Sequence, residues 1–422
     1  MNYEETIAYI HSIPWMGKEL GLSQISELLS MMGDPQNDLS IVHVAGTNGK
    51  GSVCEMTARI LESEGYKTGF FLSPYIHRFN ERIQVNHVPI ADEALVELIA
   101  RIKPLAERMA VGPSEFEIIT AAAFAYYRQM KCDYVVLEVG MGGRLDATNV
   151  IPVPLAAVIA TIGYDHTKHL GNTIAAIAYE KAGIIKPGGD VVAYGGGGEE
   201  MEVFRGVCRE RGASLRFSDF SQIESLGEDG DYQYFSYKAS PRYALSLFGA
   251  HQLKNAATVI ELIALLREKG VAVSDLALAK GFMDARWPGR FEMLSQDPLF
   301  IADGGHNQEG ARAAADAFKR RYPGRSAVVL LGVTSGKDVG GIIKEVDGIA
   351  LRYVVIDAGT SRAMPREALC GEVKRTGKSA ETAASVREGV ARALELAEPR
   401  GAVLSVGSLY TLADIRKYFG RE

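Results

Sequence analysis

The chain has 422 residues, of which 47% are hydrophobic and 23% are charged. This balance is typical of globular proteins with sizeable cores and excludes an intrinsically disordered chain. The net charge of −6 gives no general attraction to nucleic acid or to an anionic membrane, so we expect neither as a partner. Four widely spaced cysteines indicate reduced thiols, and the acidic first residues lack the order of a signal peptide. We therefore expect a cytoplasmic protein that acts on small molecules.

Short β-branched runs alternate with helical patterns along most of the chain, which predicts the α/β class with mostly parallel sheets. In the first part, strands are expected at 41–45, 68–72, 134–139, 156–162 and 191–194, and helices at 53–65, 92–108, 117–129 and 174–183. The pattern weakens over 195–242, which we interpret as a small β excursion within the first domain.

A strong helical pattern over 251–269 is followed by the segment 286–290, where proline and glycine break the periodicity. We place the domain boundary there, which gives domains 1–288 and 289–422. Strands that alternate with helices in the second domain are expected at 299–302, 327–331, 353–356 and 402–406. The predicted fold is therefore a parallel-sheet domain followed by a smaller doubly wound α/β domain.

A glycine-rich loop, Gly46-Thr47-Asn48-Gly49-Lys50-Gly51-Ser52, joins the first predicted strand to the following helix. Backbone N–H groups and the helix N-terminus point at one place there and favour an anion. Lys50 adds a charge for nucleotide phosphates, and Ser52 offers a hydroxyl to Mg²⁺. The common phosphate-loop pattern is altered, since Val44 replaces its first glycine and Gly51 separates Lys50 from Ser52. A simple tight turn is the alternative, and the composition of the loop favours ATP binding. The first domain is therefore predicted to be a P-loop-containing parallel-sheet ATPase domain.

Further polar residues follow neighbouring strands. Ser73 comes directly after strand 68–72 and is expected beside the phosphate loop. Glu138 ends an apolar strand, where its carboxylate is costly to bury unless it meets a cation. Mg²⁺ beside a triphosphate is the natural partner, with a structural ion pair as the alternative. Glycines after Glu138 let the backbone pass close to a ligand within reach of Asp146.

Two more positions have competing interpretations. His166 follows another strand and is either a structural histidine or a contact to metal or phosphate, which its position at a strand end favours. Lys181 lies near the end of the predicted helix 174–183. Its spacing alone indicates a cation that compensates the helix dipole.

In the second domain, Asp303 follows a strand and is followed by His306 and Asn307 at the start of a helix. A carboxylate and a helix N-terminus at one edge suit a small zwitterionic or acidic substrate, while helix capping by Asn307 is the alternative. Ser408 stands at the equivalent place after the last strand. These positions predict a site for a second substrate.

Together these motifs resemble folylpolyglutamate synthase, including its bifunctional dihydrofolate synthase form, within the Mur-type amide ligases. The segments that carry the resemblance keep the family's order along the chain, at 45–52, 73–74, 79–83, 116–117, 138–149, 165–167, 180–186, 251–252, 286–290, 303–307 and 407–410. The altered phosphate loop belongs to the family pattern. Small departures occur at Tyr75, Tyr164 and Gly305, and none removes a group that the mechanism needs.

The resemblance implies roles for individual residues. Those implied to bind ATP are Asn48, Gly49, Lys50, Gly51, Ser52, Asn255, Arg290 and Asp303. Those implied to bind magnesium, with two ions, are Ser73, Glu138, His166 and Lys181, the last as an N-carboxylated side chain. Lys50, His166 and Lys181 are the implied catalytic residues. Folate-side contacts are implied for Ser114, Glu115, Phe116, Glu117, Leu145, Asp146 and Ala147, and glutamate contacts for Asp303, His306 and Ser408.

The implied activity is the ATP-dependent addition of L-glutamate to folates through an acyl phosphate, with dihydropteroate as a further acceptor left open. One alternative is a Mur-type cell-wall ligase that adds an amino acid to a UDP-linked peptide. Another is a nucleotide-switched binding protein without ligase activity. The segments 116–117 and 286–290 argue against the first, and the charged residues at strand ends argue against the second. We expect a monomer.

Overall fold

The computed structural model describes residues 1–15, 21–360, 362–397 and 401–421. The chain forms two compact units, unit 1 with residues 1–246 and 253–285 and unit 2 with residues 247–252 and 286–422. Each unit is built on a mostly parallel sheet with helices, which confirms the α/β class. After residues 247–252, the chain returns to unit 2 after Ala285, a few residues before the boundary at 288, which stays a prediction.

Unit 1 is built from helices and strands. In chain order they are α1 (Tyr3–Ser12), α2 (Ser23–Met31), β1 (Ile41–Ala45), α3 (Lys50–Glu64), β2 (Thr68–Phe71), β3 (Ile83–Val85), β4 (Val88–Pro89), α4 (Asp92–Ala106), α5 (Glu115–Met130), β5 (Tyr134–Glu138), β6 (Ala156–Ile159), α6 (Thr167–Leu170), α7 (Ile174–Ala182), β7 (Asp190–Ala193), α8 (Glu199–Arg211), β8 (Ser214–Phe217), β9 (Ile223–Glu228), β10 (Gln233–Tyr237), β11 (Tyr243–Leu245), α9 (Ala250–Glu268) and α10 (Asp275–Asp284). The first residues of α9 belong to unit 2.

The main sheet of unit 1 has eight strands in the order β4-β3-β2-β5-β1-β6-β7-β8. β1 pairs in parallel with both β5 and β6, and β2 pairs in parallel with β5. β3 and β4 run antiparallel at one edge. Every residue of β1 is buried, as is usual for a parallel strand covered on both faces. The C-terminal ends of β2, β5, β1 and β6 therefore lie side by side.

Glycine conformation and a capping box determine where two helices near that edge begin. α3 begins directly after Gly49, whose φ of 84° favours glycine. At the start of α5, the Glu117 amide donates to Ser114 Oγ, and the Ser114 amide donates to the Glu117 carboxylate. This reciprocal pair satisfies two amides that the helix itself leaves without partners.

The segment 195–242 departs in part from the prediction. Residues 199–211 form α8, and β8 pairs in parallel with β7 at the edge of the main sheet. The expected β excursion is confirmed only for β9, β10 and β11, which form a separate antiparallel sheet. α8 escapes detection because it is strongly charged and buries only Phe204, Val207 and Cys208, too few residues for a clear apolar stripe.

Unit 2 repeats the alternation on a smaller sheet. Its elements are β12 (Glu292–Gln296), β13 (Leu299–Ala302), α11 (Gln308–Arg321), β14 (Ala327–Leu331), α12 (Val339–Asp347), β15 (Ala350–Val355), α13 (Arg366–Arg375), β16 (Ala380–Thr382), α14 (Val386–Ala397), β17 (Ala402–Val406) and α15 (Leu412–Tyr418). The strand order is β12-β13-β17-β14-β15-β16, with β12 antiparallel to β13 and the other pairs parallel. All four strands predicted for this domain are present.

Apolar side chains fill a separate core in each unit. In unit 1, one cluster packs α1, α2, α4 and α5 against the sheet, and another packs α7 and α8 against β6 and β7. A third cluster fills unit 2. Over the described ranges, no helix combines the length and the apolarity needed to cross a membrane.

A partly buried ionic contact joins α3 to the turn between β3 and β4. The His87 ring lies between two carboxylates, with Nδ1 2.7 Å from Glu62 Oε1 and Nε2 2.7 Å from Glu55 Oε2. Both ring nitrogens need a hydrogen to make both bonds, so the ring is an imidazolium. Burial lowers the pKa of His87, but the hydrogen bonds to Glu55 and Glu62 outweigh this effect and raise the pKa above its usual value.

This contact predicts a pH-dependent stability. Because the pKa of His87 is higher in the folded chain, its stabilisation is complete below the unfolded-state pKa of about 6.5 and is lost as the pH rises through the folded-state pKa. We expect His87→Gln to lower the free energy of unfolding by about 1 to 3 kcal/mol at pH 6 and by less at pH 9. Urea unfolding of both proteins measures the difference, and an equal loss at both pH values would contradict the assignment.

Candidate active site

The candidate site of unit 1 lies where β2, β5, β1 and β6 end. These strands are followed by Ser73, the glycine segment 140–143, the phosphate loop 46–49 and the loop 160–166, respectively. Because the four strands are adjacent and parallel, the four segments meet at one edge of the sheet. Residues far apart in the chain thereby become neighbours.

The phosphate loop 46–49 depends on glycine at two positions. Gly46 has a φ of 151° and Gly49 a φ of 84°, values that residues with side chains rarely adopt. A Cβ on Gly46 would lie 2.8 Å from Ala160 Cβ, and one on Gly49 would lie 2.7 Å from Asn255 Oδ1. Asn255 is thus placed directly against the loop. The following Gly51 and Ser52 lie in the first turn of α3, with Ser52 buried.

Two ammonium groups meet at the Gly46 carbonyl. Lys50 Nζ donates to Gly46 O at 3.0 Å and to Thr47 O at 3.3 Å, and Lys181 Nζ donates to the same Gly46 O at 2.9 Å. Lys181 is 4% exposed. Burial, together with repulsion from Lys50, lowers the pKa of Lys181 to about 7. Like charges this close are unfavourable without an anion between them, so the pair marks a place for negative charge.

Glu138 and Ser73 come together at the ends of β5 and β2. Glu138 is 4% exposed, and its Oε2 accepts a hydrogen bond from the Ser73 amide at 3.0 Å. Within the described parts of the chain, no three His, Cys, Asp or Glu side chains form a group that could hold a metal ion. A cation here would therefore take further oxygen ligands from hydroxyls, phosphates or a modified lysine.

Two threonine hydroxyls bind the phosphate loop to the loop 160–166. Thr47 Oγ1 donates to Gly163 O and accepts from the Gly163 amide, both at 3.1 Å. Thr161 Oγ1 accepts from the Asn48 amide at 3.3 Å and donates to Asn48 O at 3.1 Å. The prediction of a strand to residue 162 is wrong, because β6 ends at Ile159 and the next residues make these contacts instead.

His166 lies at the end of this same loop. It has a φ of 50° and precedes the short helix α6, and its side chain is 46% exposed. Its amide donates to Asp165 Oδ1 at 2.8 Å. The threonine contacts therefore connect the phosphate loop to the segment that carries the predicted metal-site histidine.

The glycine segment after β5 packs closely on the end of α7. A Cβ on Gly143 would lie 2.9 Å from the carbonyl oxygens of Glu180 and Lys181, and one on Gly183 would lie 2.3 Å from Arg144 Cα. The Arg144 amide also donates to Glu180 O at 2.8 Å. Because these glycines lack side chains, two backbones touch, and this contact holds Lys181 beside the phosphate loop.

Asp146 closes the glycine segment through several hydrogen bonds. Its Oδ2 accepts from the Met141 amide at 2.8 Å, and its Oδ1 accepts from the Thr148 amide at 3.0 Å and the Thr148 hydroxyl at 2.5 Å. Burial raises the pKa of Asp146, and the bonds from Thr148 and Met141 oppose this rise. A Cβ on Gly140 would lie 2.5 Å from Phe116 Cζ and 3.1 Å from Asp146 Oδ2. The ring and the carboxylate thus stand side by side, an arrangement suited to a flat heterocycle with N–H donors.

Other residues implied on the folate side make local structural contacts. Ser114 and Glu117 form the capping box of α5, and Glu117 Oε1 also accepts from the Ile25 amide at 3.1 Å. Glu115 Oε1 lies 3.2 Å from His11 Nδ1, and burial raises the pKa of Glu115. Leu145 and Ala147 flank Asp146 in its turn; Leu145 is half-buried and Ala147 is buried.

A buried cation near Phe116 has no role in the sequence prediction. Arg82 is 4% exposed, and its Cζ lies 5.2 Å from the ring centroid of Trp15, 5.0 Å from that of Tyr75 and 5.7 Å from that of Phe79. The Trp15 ring centroid is 5.3 Å from that of Phe116. Contacts of this kind stabilise a guanidinium that has left water. Tyr75, Phe79 and Arg82 are close together in the sequence, but Trp15 and Phe116 come from two other segments, so no local pattern reveals the whole cluster.

Unit 2 has a polar site where β13 ends. Asp303 is buried, and its Oδ2 accepts from the Phe291 amide at 2.8 Å while its Oδ1 accepts from the Gly305 amide at 2.7 Å. Burial raises the pKa of Asp303, and the charge of Arg290 opposes this rise. Arg290 and Asp303, both implied at the nucleotide site, therefore interact within unit 2.

The loop after β17 borders the same site. Ser408 is buried, and its Oγ accepts from the Tyr410 amide at 3.1 Å. The Gly407 amide donates to Gly305 O at 2.8 Å, which joins the two strand-end loops. His306 Nδ1 donates to the carbonyl of the glycine two residues before it at 3.0 Å. The capping alternative holds for Asn307, whose side chain accepts from an amide in the first turn of α11.

The predicted residues thus form three groups. One surrounds the Gly46 carbonyl, one lies along 114–117 and 140–148, and one belongs to unit 2. Sequence reasoning missed the contacts of Thr47 and Thr161 between the two loops, and it missed Thr148 as the partner of Asp146. Threonine is common in and beside strands, so nothing in the sequence marks these three positions as part of a functional site.

The chain is similar to known proteins over nearly its whole length. A family model described as the Mur ligase middle domain matches residues 44–263, and one described as the Mur ligase, glutamate ligase domain matches residues 289–409. The chain is 36% identical to the dihydrofolate synthase/folylpolyglutamate synthase of Bacillus subtilis (strain 168), with 98% of each chain covered. It is similar to solved Mycobacterium tuberculosis folylpolyglutamate synthase (FPGS) complexed with ADP and AMPPCP, with a TM-score of 0.91, 31% identity, and 100% and 98% of the chains covered. A solved FPGS complex with AMPPCP and folate gives a TM-score of 0.85 at 32% identity, with 99% of each chain covered.

The contacts of Thr161 predict its effect on nucleotide binding. Thr161→Val keeps the side-chain shape but removes both hydroxyl bonds to Asn48, which loosens the phosphate loop. We expect the Kd for a non-hydrolysable ATP analogue to rise about tenfold, since each lost bond costs about 0.5 to 1.5 kcal/mol. Isothermal titration measures this change. Thr161→Ser keeps the hydroxyl and is the matched control, and equal losses in the two variants would show that the hydroxyl is not responsible.

Proposed function

The chain belongs to the Mur ligase family, and we propose that it is an ATP-dependent ligase that joins L-glutamate to folates. The names of relatives, folylpolyglutamate synthase and dihydrofolate synthase, support a folate acceptor. Complexes of similar structures with ADP and AMPPCP support ATP as the second substrate. Dihydropteroate is proposed as a further acceptor, because the Bacillus subtilis relative carries both names.

One observation carries the proposal, and it is the pair of ammonium groups on the Gly46 carbonyl. In the unmodified chain these two groups repel each other; carboxylation of Lys181 removes the repulsion, and a nucleotide triphosphate supplies the anion that Lys50 binds. Loop amides and the start of α3 favour the same anion. The residues proposed to bind the phosphates are Asn48, Gly49, Lys50, Gly51 and Ser52, with Asn255 against the loop.

The oxygen donors at the strand ends fit Mg²⁺. Glu138 is a buried carboxylate beside Ser73, and Ser52 places a hydroxyl at the start of α3. Hard oxygen ligands together with substrate phosphates are what this ion prefers. Two ions held by Ser73, Glu138, His166 and a carboxylated Lys181 would neutralise phosphate charge during transfer.

Lys181 fits the proposed carboxylation. An uncharged amine attacks CO₂, a C–N bond forms, and the carbamate results after loss of a proton. With a pKa of about 7, a large share of this amine is uncharged at neutral pH. Carboxylation gives the Lys181 side chain a negative charge, so its interaction with the Lys50 cation is attractive.

The chemistry begins with an unreactive carboxylate, whose leaving group would be oxide. Transfer of the γ-phosphoryl group of ATP to that carboxylate gives an acyl phosphate and ADP, with Lys50 and His166 stabilising the charge in transfer. The amine of L-glutamate then attacks the acyl carbon and loses a proton, and phosphate leaves. The products are the amide, ADP and phosphate.

Two further groups of residues are proposed to bind the partners of the ligation. The Phe116 ring and the Asp146 carboxylate suit the pterin, since its flat ring packs on an aromatic side chain and its N–H groups donate to a carboxylate. In unit 2, Asp303 suits the ammonium group of glutamate, and His306 with Ser408 suits a carboxylate.

Ligation is tested with purified protein, Mg-ATP, L-glutamate and either tetrahydrofolate or dihydropteroate. We expect mass spectrometry to show that an acceptor gains one glutamate residue while ATP is converted to ADP and phosphate. Reaction of a UDP-linked peptide instead would favour a cell-wall ligase. Nucleotide binding without any product would favour the non-catalytic alternative.

The carbamate is tested at Lys181. We expect Lys181→Ala to lower kcat by at least about a hundredfold without unfolding the protein, because charge stabilisation in phosphoryl transfer contributes about this much or more. Lys181→Arg keeps a cation at the end of α7 but cannot carry a carbamate, and it is expected to be equally inactive. ¹³C NMR with labelled bicarbonate should detect the carbamate in the wild type, and an active Arg variant would rule the modification out.

A further inference from the structure

A buried chain of hydrogen bonds leads from β1 to the proposed folate site. His43, in the middle of β1, has its Nε2 2.8 Å from Thr148 Oγ1, and that hydroxyl is 2.5 Å from Asp146 Oδ1. His43 and Thr148 are completely buried, and Asp146 is 7% exposed. This series of hydrogen bonds thus links the strand that precedes the phosphate loop to a carboxylate beside Phe116.

The direction of these hydrogen bonds follows from how many hydrogens each group can donate. Asp146 accepts from two backbone amides, as an ionised carboxylate does. The single hydrogen of the Thr148 hydroxyl therefore points to Asp146 Oδ1. The Thr148 oxygen is then an acceptor, and His43 Nε2 must donate to it. The ring consequently carries its hydrogen on Nε2.

The surroundings of His43 agree with a neutral ring. In the described structure, Nδ1 is buried and has no hydrogen-bond partner. A hydrogen on Nδ1 would leave a buried donor unsatisfied, which is costly. Burial, and after it the charge of Lys186, lowers the pKa of His43 to about 3. The ring therefore serves as a fixed donor and not as a titrating group at neutral pH.

We propose that His43 and Thr148 are positioning residues for Asp146 in binding the pterin part of the folate substrate. The inference rests on the proposed function, in which Asp146 contacts the pterin. The bond from Thr148 holds Oδ1, so Oδ2 stays beside Gly140 and the Phe116 ring. His43 holds the Thr148 hydroxyl in the orientation that makes this bond. Neither residue touches the substrate.

A positioning role differs measurably from a structural role. β1 also carries the phosphate loop, so general damage to the strand would weaken ATP binding together with pterin binding. Loss of the Asp146 orientation would raise the KM for the pterin substrate and leave the KM for ATP nearly unchanged. The ratio of the two KM changes therefore separates the two roles.

Thr148→Val tests the proposal, since it keeps the shape of the side chain and removes the hydroxyl. We expect the KM for tetrahydrofolate or dihydropteroate to rise about tenfold or more, as for loss of a hydrogen bond to a charged group, with the KM for ATP changed less than about twofold. Thr148→Ser restores the hydroxyl and should restore the KM. His43→Phe should act like Thr148→Val, and His43→Gln, whose amide reaches the position of Nε2, should restore most of the affinity.

Asp146→Asn separates failure of the inference from failure of the proposed function. An unchanged pterin KM in Asp146→Asn would remove Asp146 from the folate site. A raised KM in Asp146→Asn with unchanged values in Thr148→Val and His43→Phe would overturn the inference alone. Parallel rises in the KM for ATP and for the pterin would overturn it as well, because they indicate a structural role.

The wild-type protein provides a test that does not depend on the folding of variants. ¹⁵N NMR of the histidine rings, with His43 assigned by its loss on substitution, reports which nitrogen carries hydrogen. We expect a neutral ring with hydrogen on Nε2 at pH 7. Hydrogen on Nδ1, or a charged ring, would overturn the proposed direction of the hydrogen bonds from His43 through Thr148 to Asp146.

Discussion

The carbonyl oxygen of Gly46, shared by the ammonium groups of Lys50 and Lys181, is the contact on which the site in unit 1 depends. It requires β1 to lie between β5 and β6, so that the phosphate loop opens where its neighbours end. It also requires α7 to return to that edge of the sheet. A protein with a net charge of −6 has no general attraction for anions, and this arrangement concentrates positive charge at one point.

The three reactants of the proposed ligation make different physical demands, and in our proposal unit 1 meets two of them with different kinds of contact. A triphosphate needs backbone amides and fixed cations, which the phosphate loop and α3 provide. A pterin needs a flat apolar wall and a few oriented acceptors, the role we propose for Phe116 and Asp146. Both groups are supported by hydroxyls of threonines that need not contact a ligand. The polar site of unit 2 instead relies on Asp303, a buried carboxylate held by amides.

Much of the fold was predictable because its signals are local. The strand at 41–45 has the predicted bounds, and Glu138 was recognisable as a carboxylate that ends an apolar strand. α8 was not predictable, because a charged helix with a narrow buried face lacks a clear period. The pairs Thr47–Gly163 and His43–Thr148 join residues more than a hundred positions apart. They depend on which strands are neighbours, and strand order is not written in any local pattern.

The contact between the glycine segment and the end of α7 determines how precisely the backbone of Lys181 is positioned. Gly143 and Gly183 each touch the backbone of the other segment. Because backbone atoms have no rotamers, the distance between the two segments is set by atomic radii and not by side-chain torsions. The Cα of Lys181 is therefore held almost rigidly, and only the torsions of its own side chain remain to place its tip. The carboxyl group of the proposed carbamate can therefore be accommodated by rotation of the Lys181 side chain, without movement of α7.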